Sequence, residues 1–258
     1  MIDLRFAWRA RKFRSKWNRA EIRAMQALLH PGGCAIDVGS HKGGWLYWMR
    51  RSVGRTGRVC AIEPQPELAA YLAEVVARNG WRNVAIHRLG LGMEEGMAIL
   101  HVPGPDGHTS PAASLIAAVA EAEASRDHVR HDIPTRVTSL DALVRAQNLP
   151  QVDFLKIDVE GAELEVLQGA GHLLESQTPA VLLECERRHL RLQNKTMDAV
   201  FAELLTRGYQ GSFFDRWGSH PLAEFDPEVH QAEVGPRFWD RPTYANNFLF
   251  VKPAPGRA

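Results

Sequence analysis

The sequence contains few cysteines, and none of them is spaced as in a metal site. Its three cysteines, Cys34, Cys60 and Cys185, lie too far apart for a CxxC motif or a recognisable disulfide framework. The sequence also lacks the run of roughly 18 apolar residues that a membrane span needs, and its Arg-rich start lacks the apolar stretch of a secretory signal. We therefore expect a soluble, cytoplasmic protein.

A strong excess of charge of one sign is also missing. The 258 residues include 31 Lys and Arg against 30 Asp and Glu, a net charge of +1, which argues against a nucleic-acid partner. The charge is unevenly distributed, however, because residues 1–23 carry +6 and the remainder carries −5. The basic segment is expected to be a solvated helix that packs on the core or on a second subunit of a homo-oligomer. Alternatively, it contacts anionic lipid or a lipid-linked acceptor.

The hydrophobic pattern indicates one α/β domain over 34–258, preceded by an N-terminal helical extension over 1–33. A helix is predicted over 4–30, before the helix-breaking sequence PGG at 31–33. Short apolar strands then alternate with amphipathic helices, which is typical of a mostly parallel sheet. Strands are predicted at 34–38, 58–62, 83–88, 96–102, 134–138, 152–158, 180–185, 209–214 and 246–251, the last two as an antiparallel hairpin. Helices are predicted at 44–53, 66–79, 140–147, 162–175 and 195–207, and 103–132 is predicted to be a lid-like insertion with a helical piece near 112–125.

A glycine-containing turn follows the first strand, where open α/β sheets bind ligands. Its sequence, IDVGSHKGG at 36–44, matches neither GxGxxG nor GxxxxGK[ST], which weakens a nicotinamide enzyme and a P-loop nucleotidase. Asp37 instead places a carboxylate beside the turn, which suits S-adenosylmethionine because its sulfonium and amino groups are cationic. Glu63 ends the second strand, where an acid can accept hydrogen bonds from both ribose hydroxyls. Together the two acids favour nucleoside binding over a tight turn without a ligand.

A second candidate region is VDFLKIDVEGAE at 152–163, where a buried strand ends in charged residues. Charges at such a position are costly unless they are used. Asp158 is expected to orient a substrate hydroxyl or bind a cation, and Glu160 to stand near the transferred methyl group or accept the proton. Glu163 and Glu165 are explained more simply as acids in the first turn of a helix.

In their order along residues 34–251, these motifs resemble the FkbM family of S-adenosylmethionine-dependent methyltransferases. The resemblance rests on DVG at 37–39 with Gly43, AIEP at 61–64, SLD at 139–141, DFLKIDVEGAE at 153–163, LE at 183–184 and NFLF at 247–250. It implies the class I, Rossmann-like methyltransferase fold, with a mostly parallel seven-stranded sheet. It also implies O-methylation of a small-molecule hydroxyl acceptor, commonly a sugar, a polyketide or another secondary metabolite.

The resemblance also assigns roles to residues around the cofactor. It implies that Asp37, Gly39 and Gly43 frame the methionine end and that Glu63 holds the ribose. Gly90 falls in the adenine-side loop, His41 stands where the family often has Asn, and Ser114 resembles a Ser-Leu element near the cofactor. The cofactor-binding residues expected are Asp37, Gly39, His41, Gly43, Glu63, Gly90, Ser114 and Asp158.

Methyl transfer to a hydroxyl needs alignment and a group that takes the hydroxyl proton. The expected catalytic residues are Asp158, Glu160 and His189, although an exposed or helix-capping histidine is an alternative for His189. The histidines around the insertion, His101, His108, His128 and His131, lack metal-ligand spacing, so no metal site is predicted. A magnesium ion on Asp158 is the weaker alternative.

Three other function classes stay open beside the methyltransferase acting on oxygen. An N- or C-methyltransferase would use the same fold and cofactor. A nicotinamide oxidoreductase would use a similar sheet. A catalytically silent nucleoside-binding module would keep the fold but would have lost turnover.

Overall fold

The chain begins with two helices that pack against an α/β sheet. The computed structural model describes residues 3–16, 18–105, 107–124 and 129–253. Helices α1 (Leu4–Lys16) and α2 (Arg19–Leu28) replace the single helix predicted over 4–30. The prediction was wrong at Asn18, which caps α2 with φ −132° and ψ 46°, outside the helical region, so the chain turns there. Parts of the predicted segments, among them Trp17 and His128, lie outside the described residues.

The part of the chain that the structure describes contains eleven strands in two sheets. They are β1 (Cys34–Val38), β2 (Arg58–Ile62), β3 (Val84–His87), β4 (Gly90–Leu91), β5 (Gly96–Pro103), β6 (Arg130–Thr138), β7 (Phe154–Ile157), β8 (Ala180–Glu184), β9 (Gln210–Asp215), β10 (Gly218–Pro221) and β11 (Asn247–Val251). The main sheet has the order β10-β9-β11-β8-β7-β1-β2-β3. Strands β8, β7, β1, β2 and β3 are parallel, and β11 runs antiparallel between β8 and β9. The seven-stranded, mostly parallel sheet with an antiparallel hairpin is therefore confirmed, and β10 adds an edge strand.

The strands predicted at 96–102 and 134–138 do not continue the main sheet. They belong to β5 and β6, which pair antiparallel from Gly96 opposite Val137 to Pro103 opposite Arg130, and β4 joins this second sheet beside β6. Eight consecutive register pairs join the two strands, so they pair with each other instead of with the main sheet. The ends of the predicted insertion are therefore strand, and between them lies helix α5 (Ala117–Glu123).

The remaining helices lie between the strands, mostly as the sequence predicts. They are α3 (Gly44–Val53), α4 (Pro66–Arg78), α6 (Leu140–Ala146), α7 (Glu163–Gln168), α8 (Gly171–Ser176), α9 (Arg187–Arg191), α10 (Met197–Leu205) and α11 (Pro227–His230), with 3₁₀ turns at Leu222–Glu224 and Phe238–Asp240. The helix predicted over 162–175 is divided into α7 and α8. At the division, a Cβ on Gly169 would lie 2.1 Å from the carbonyl oxygen of Gly92, so the second sheet packs tightly there.

Two apolar cores lie on the two faces of the main sheet. On β1, Ile36 and Val38 belong to one core and Ala35 to the other, as expected for a strand buried on both sides. Helices α1, α2 and α3 contribute to the core that contains Ala35. All three cysteines are buried and unpaired. None of the helices in the described ranges is long and apolar enough to cross a membrane.

Candidate functional site

The turn after β1 and the turn after β7 touch at a glycine. Gly39 has a φ of +77°, and a Cβ at this position would lie 1.7 Å from the carbonyl oxygen of Asp158. The backbone N–H groups of Gly39 and Ser40 both donate to the carbonyl oxygen of Ile62, each at 3.0 Å. These contacts bring the ends of β1, β2 and β7 together at one edge of the sheet, so their polar residues share a single site.

A cavity of about 230 Å³ opens at this edge. Six of the residues predicted from the sequence line it, namely Gly39, His41, Glu63, Gly90, Asp158 and Glu160. Apolar side chains supply other walls, namely Ile62, Pro64, Leu89, Leu91, Leu100 and Leu115. The combination of a few polar groups with apolar walls is typical of a small-molecule site.

Glu63 is buried in the cavity wall and is held by two backbone donors. Its Oε2 accepts from the N–H of His41 at 2.7 Å, and its Oε1 accepts from the N–H of Gln65 at 2.9 Å. Burial raises the pKa of Glu63 to about 7. Burial also lowers the pKa of His41 to about 4, so the imidazole is neutral at physiological pH. The two backbone donors therefore fix Glu63 in place, and each of its carboxyl oxygens keeps a lone pair that can accept a further hydrogen bond.

Two of the expected cofactor residues lie beside the cavity wall rather than in it. Asp37 is fully buried, neither carboxyl oxygen has a hydrogen-bond partner, and burial raises its pKa to about 6. Gly43 is the N-cap of α3, with a φ of +75°, but a Cβ there would meet Leu72 at 2.8 Å and Phe6 at 3.0 Å. Gly43 thus allows close packing of α1 and α4, whereas Asp37 has a carboxyl group that no protein donor satisfies.

Lys156 is a site residue that the sequence reasoning missed. Its side chain is completely buried, Nζ lies 2.7 Å from Asp158 Oδ2, and Nζ lies 5.6 Å from the ring centroid of Trp45. Burial disfavours its charge, but Asp158, Glu184 and Asp37 hold the pKa of Lys156 above its usual value. The signal was a lysine in the apolar strand FLKI, since a buried charge needs a partner.

Asp158 binds this lysine, whereas the sequence left a magnesium ion open as its partner. In the described ranges, His, Cys, Asp and Glu side chains form no group of three that could hold a metal ion. The 2.7 Å contact with Lys156 Nζ makes Asp158 half of an ion pair at the cavity.

More carboxylates than expected gather on the side of Glu160. Glu184, which lines the cavity, accepts from Asn246 Nδ2 at 2.8 Å. Glu186 accepts from the same amide at 3.1 Å and from the hydroxyl of Tyr244. Burial, together with the neighbouring carboxylates, raises the pKa of both Glu160 and Glu184 well above the usual range. These partners come from chain segments about 60 residues apart, and no local spacing predicts them.

His189 is neither exposed nor a helix cap, and it does not line the cavity. Only 2% of its surface is exposed; Nδ1 lies 3.5 Å from Glu160 Oε2, and Nε2 lies 3.2 Å from Glu123 Oε1. Burial and the neighbouring Arg188 lower its pKa, so the ring is neutral at physiological pH. His189 is therefore a residue that positions Glu160 and connects it to α5.

The insertion is attached to the cavity at two further points. The side-chain amide of Gln65 donates to the carbonyl of Ser110 and accepts from its N–H, both at 2.9 Å. Ser114 Oγ donates to the carbonyl of Glu160 at 2.6 Å, so Ser114 supports the turn instead of lining the cavity. Its neighbour Leu115 lines the wall and packs against Gly90. The insertion thus forms one side of the cavity.

The chain resembles known proteins in sequence and in fold. The sequence model of the Methyltransferase FkbM domain matches residues 37–210. A curated relative, Methyltransferase 1 of Beauveria bassiana (strain ARSEF 2860), is 28% identical over 142 residues, which are 52% of this chain and 57% of the relative. The match therefore spans little more than half of that relative's length.

Two solved structures share the fold. Methyltransferase FkbM from Methylobacillus flagellatus KT has a TM-score of 0.51 and 16% identity, over 87% of this chain and 45% of that one. A candidate methyltransferase from Streptococcus mutans, solved in complex with SAH, has a TM-score of 0.50 and 9% identity, over 90% of this chain and 96% of that one. At these identities the likeness shows a common α/β architecture.

Proposed function

The chain belongs to the FkbM methyltransferase family, and on this premise we propose that it transfers the methyl group of S-adenosylmethionine to a hydroxyl of a small-molecule acceptor. One observation carries the proposal. Glu63, a carboxylate suited to two ribose hydroxyls, lines the same cavity as the acidic pair Asp158 and Glu160. A cationic nucleoside fits such a cavity better than a phosphorylated one does.

The residues present fit this cofactor in charge and shape. Glu63 would hold the ribose, and the apolar residues Leu89 and Leu115, with Gly90 at the start of β4, would flank the adenine. The backbone of Gly39, which lines the cavity, would lie at the methionine end, and the unsatisfied carboxyl of Asp37 lies buried just behind it. When bound, S-adenosylmethionine supplies a methyl carbon made electrophilic by the sulfonium.

The chain's own residues orient the acceptor and take its proton. Lys156 holds Asp158 in one position, so this carboxylate can accept a hydrogen bond from the acceptor hydroxyl. Glu160 can accept the hydroxyl proton as the new bond to oxygen forms, and its raised pKa makes its ionised form a stronger base. His189 contacts the far side of Glu160 and fixes its orientation.

Cofactor binding is tested first, by calorimetric titration with S-adenosylhomocysteine. The Glu63→Gln variant should bind at least tenfold more weakly than the wild type, because a charge-assisted hydrogen bond is worth about 1.5–3 kcal/mol. Glu67→Gln, on the exposed first turn of α4, is the matched control. An absence of heat with the wild type, or equal affinity in the Glu63 variant, would contradict the proposal.

The acceptor atom is tested with labelled S-adenosylmethionine and a panel of small hydroxyl, amine and activated-carbon compounds. Product masses that rise by one methyl group on a hydroxyl compound, with the rate reduced at least a hundredfold in Glu160→Gln, are expected. Methylation of amines or carbon alone would replace the oxygen assignment. Cofactor binding without any methylated product would favour the silent nucleoside-binding module.

A further inference from the structure

Helix α1 has two faces of different character. Its inner face buries Phe6, Ala7 and Ala10. Its outer face exposes two large apolar side chains one turn apart, Leu4 at 76% and Trp8 at 60%. The exposed cations of this helix's outer face flank that pair, namely Arg5, Arg11 and Lys12.

The inner face of α1 packs against the core through contacts that do not involve Leu4 or Trp8. The indole N–H of Trp48 donates to the carbonyl of Ala10 at 3.0 Å, and the rings of Phe13 and Trp45 contact edge to face at 6.1 Å. The two exposed apolar side chains therefore add little to the packing of α1. Apolar side chains that are rimmed by cations at the surface are typical of a membrane or partner contact.

The charge distribution favours an anionic bilayer as the partner. The sequence of α1, LRFAWRARKFRSK, has no acidic residue, and Trp8 is an aromatic residue of the type enriched at lipid headgroups. The net charge of −5 on residues 24–258 disfavours approach of the remaining surface to anionic lipid. We propose that the outer face of α1, formed by Leu4, Arg5, Trp8, Arg11 and Lys12, docks on a bilayer that contains anionic phospholipid.

The docking face lies on the helix that supports the candidate cofactor turn. On its inner side, a Cβ added to Gly43 would lie 3.0 Å from the ring of Phe6, and one added to Gly44 would lie 2.7 Å from the ring of Phe13. These glycines follow directly after Gly39 and His41, which line the cavity. A bilayer on α1 is thus one helix diameter from the turn, and the proposal holds whichever acceptor the enzyme uses.

Vesicle sedimentation of the full chain tests the charged part of the face. The wild type should bind vesicles of phosphatidylglycerol and phosphatidylcholine in equal parts, should bind less as salt increases, and should not bind phosphatidylcholine alone. The triple variant Arg5→Glu, Arg11→Glu, Lys12→Glu should lose at least tenfold in partition coefficient. The control reverses three exposed cations elsewhere, Arg82→Glu, Arg88→Glu and Arg216→Glu, with the same change in net charge. Equal loss in both triple variants would overturn the proposal.

Tryptophan substitution tests the apolar part without a change in charge. The wild type should show a blue shift in fluorescence with vesicles, and Trp8→Ala should remove that shift and weaken vesicle binding at least threefold. Trp217→Ala, which removes a tryptophan exposed at 67%, should leave both unchanged. An unchanged blue shift in Trp8→Ala would overturn the proposal, as would wild-type binding to poly(U) RNA at a salt concentration where vesicles are not bound. The thermal unfolding midpoints should match across the variants.

Discussion

Lys156 donates from Nζ to Asp158 Oδ2 at 2.7 Å, two residues further along the same chain. The lysine lies in the interior of β7 with its side chain fully buried, and Asp158 lies at the cavity. Asp37, on the neighbouring β1, is directly opposite Lys156 in the sheet register. The buried Nζ of Lys156 thus serves the carboxylates at the edge of the sheet where the cavity opens.

We expect Lys156→Met to weaken both the fold and the cofactor site. Removing one partner of a buried ion pair costs about 3–5 kcal/mol, because the other charge stays buried without compensation. The variant should bind S-adenosylhomocysteine at least tenfold more weakly, because Asp158 loses the lysine that holds its carboxylate in place at the cavity. Urea unfolding and calorimetry measure the two effects. Lys12→Met on the surface of α1 should change neither, and unchanged affinity in Lys156→Met would exclude this role.

Glu21 provides a pH-dependent prediction outside the cavity. It is buried on α2, and burial raises its pKa from 4.5 to about 7. The folded state therefore binds the proton more tightly, so this group favours folding below pH 4.5, and that contribution is lost as the pH rises through 7. Glu21→Gln should change stability little at pH 5 and should stabilise the protein by about 2 kcal/mol at pH 8. Urea unfolding at both pH values, with Glu67→Gln as the exposed control, measures the difference; the same effect at both would contradict it.

Gly39 provides a steric prediction. Gly39→Ala should destabilise the fold by more than about 3 kcal/mol, since its Cβ would lie 1.7 Å from a backbone oxygen and both turns would have to move. Gly80 is the matched control: its φ is +62°, yet a Cβ there meets nothing within 4 Å. Gly80→Ala should therefore lower the folding stability by only about 1 kcal/mol, which is the energy needed to hold an alanine in the left-handed backbone conformation. Chemical denaturation measures both stability losses. Equal losses in the two variants would show that the turn after β1 can shift to accommodate a Cβ, contrary to this prediction.

His189 connects the acidic wall to the insertion, and its loss should loosen α5. In His189→Asn, Glu123 keeps Arg188 but loses the imidazole, so the amides of Ala117–Glu123 should exchange with deuterium at least fivefold faster. His172→Asn, at an exposed position on α8, should leave this exchange unchanged. Hydrogen exchange read by mass spectrometry makes the comparison. Unaltered protection of α5 would show that Arg188 alone holds the helix.

The fold was predictable where its signals are local. β1 and β2 begin and end where the apolar runs at 34–38 and 58–62 do, and Gly39 and Glu63 follow from the ends of those strands. The hairpin of β5 and β6 was not predictable from the same alternation, because a strand's partner is chosen by tertiary contacts. The same limit applies to the site. Glu184 and Asn246 are 62 positions apart, and Gly43 contacts Phe6 of α1 rather than the cavity.

The three buried cysteines make this protein convenient to label. Burial raises the pKa of the Cys34 and Cys60 thiols to about 12, and that of Cys185 well above its usual value. Thiolate is the form that reacts with maleimides, so the folded wild type should take up almost no dye at neutral pH. A single cysteine introduced by Trp8→Cys would then carry one fluorophore at a defined point on α1. The chain's own thiols need not be removed first.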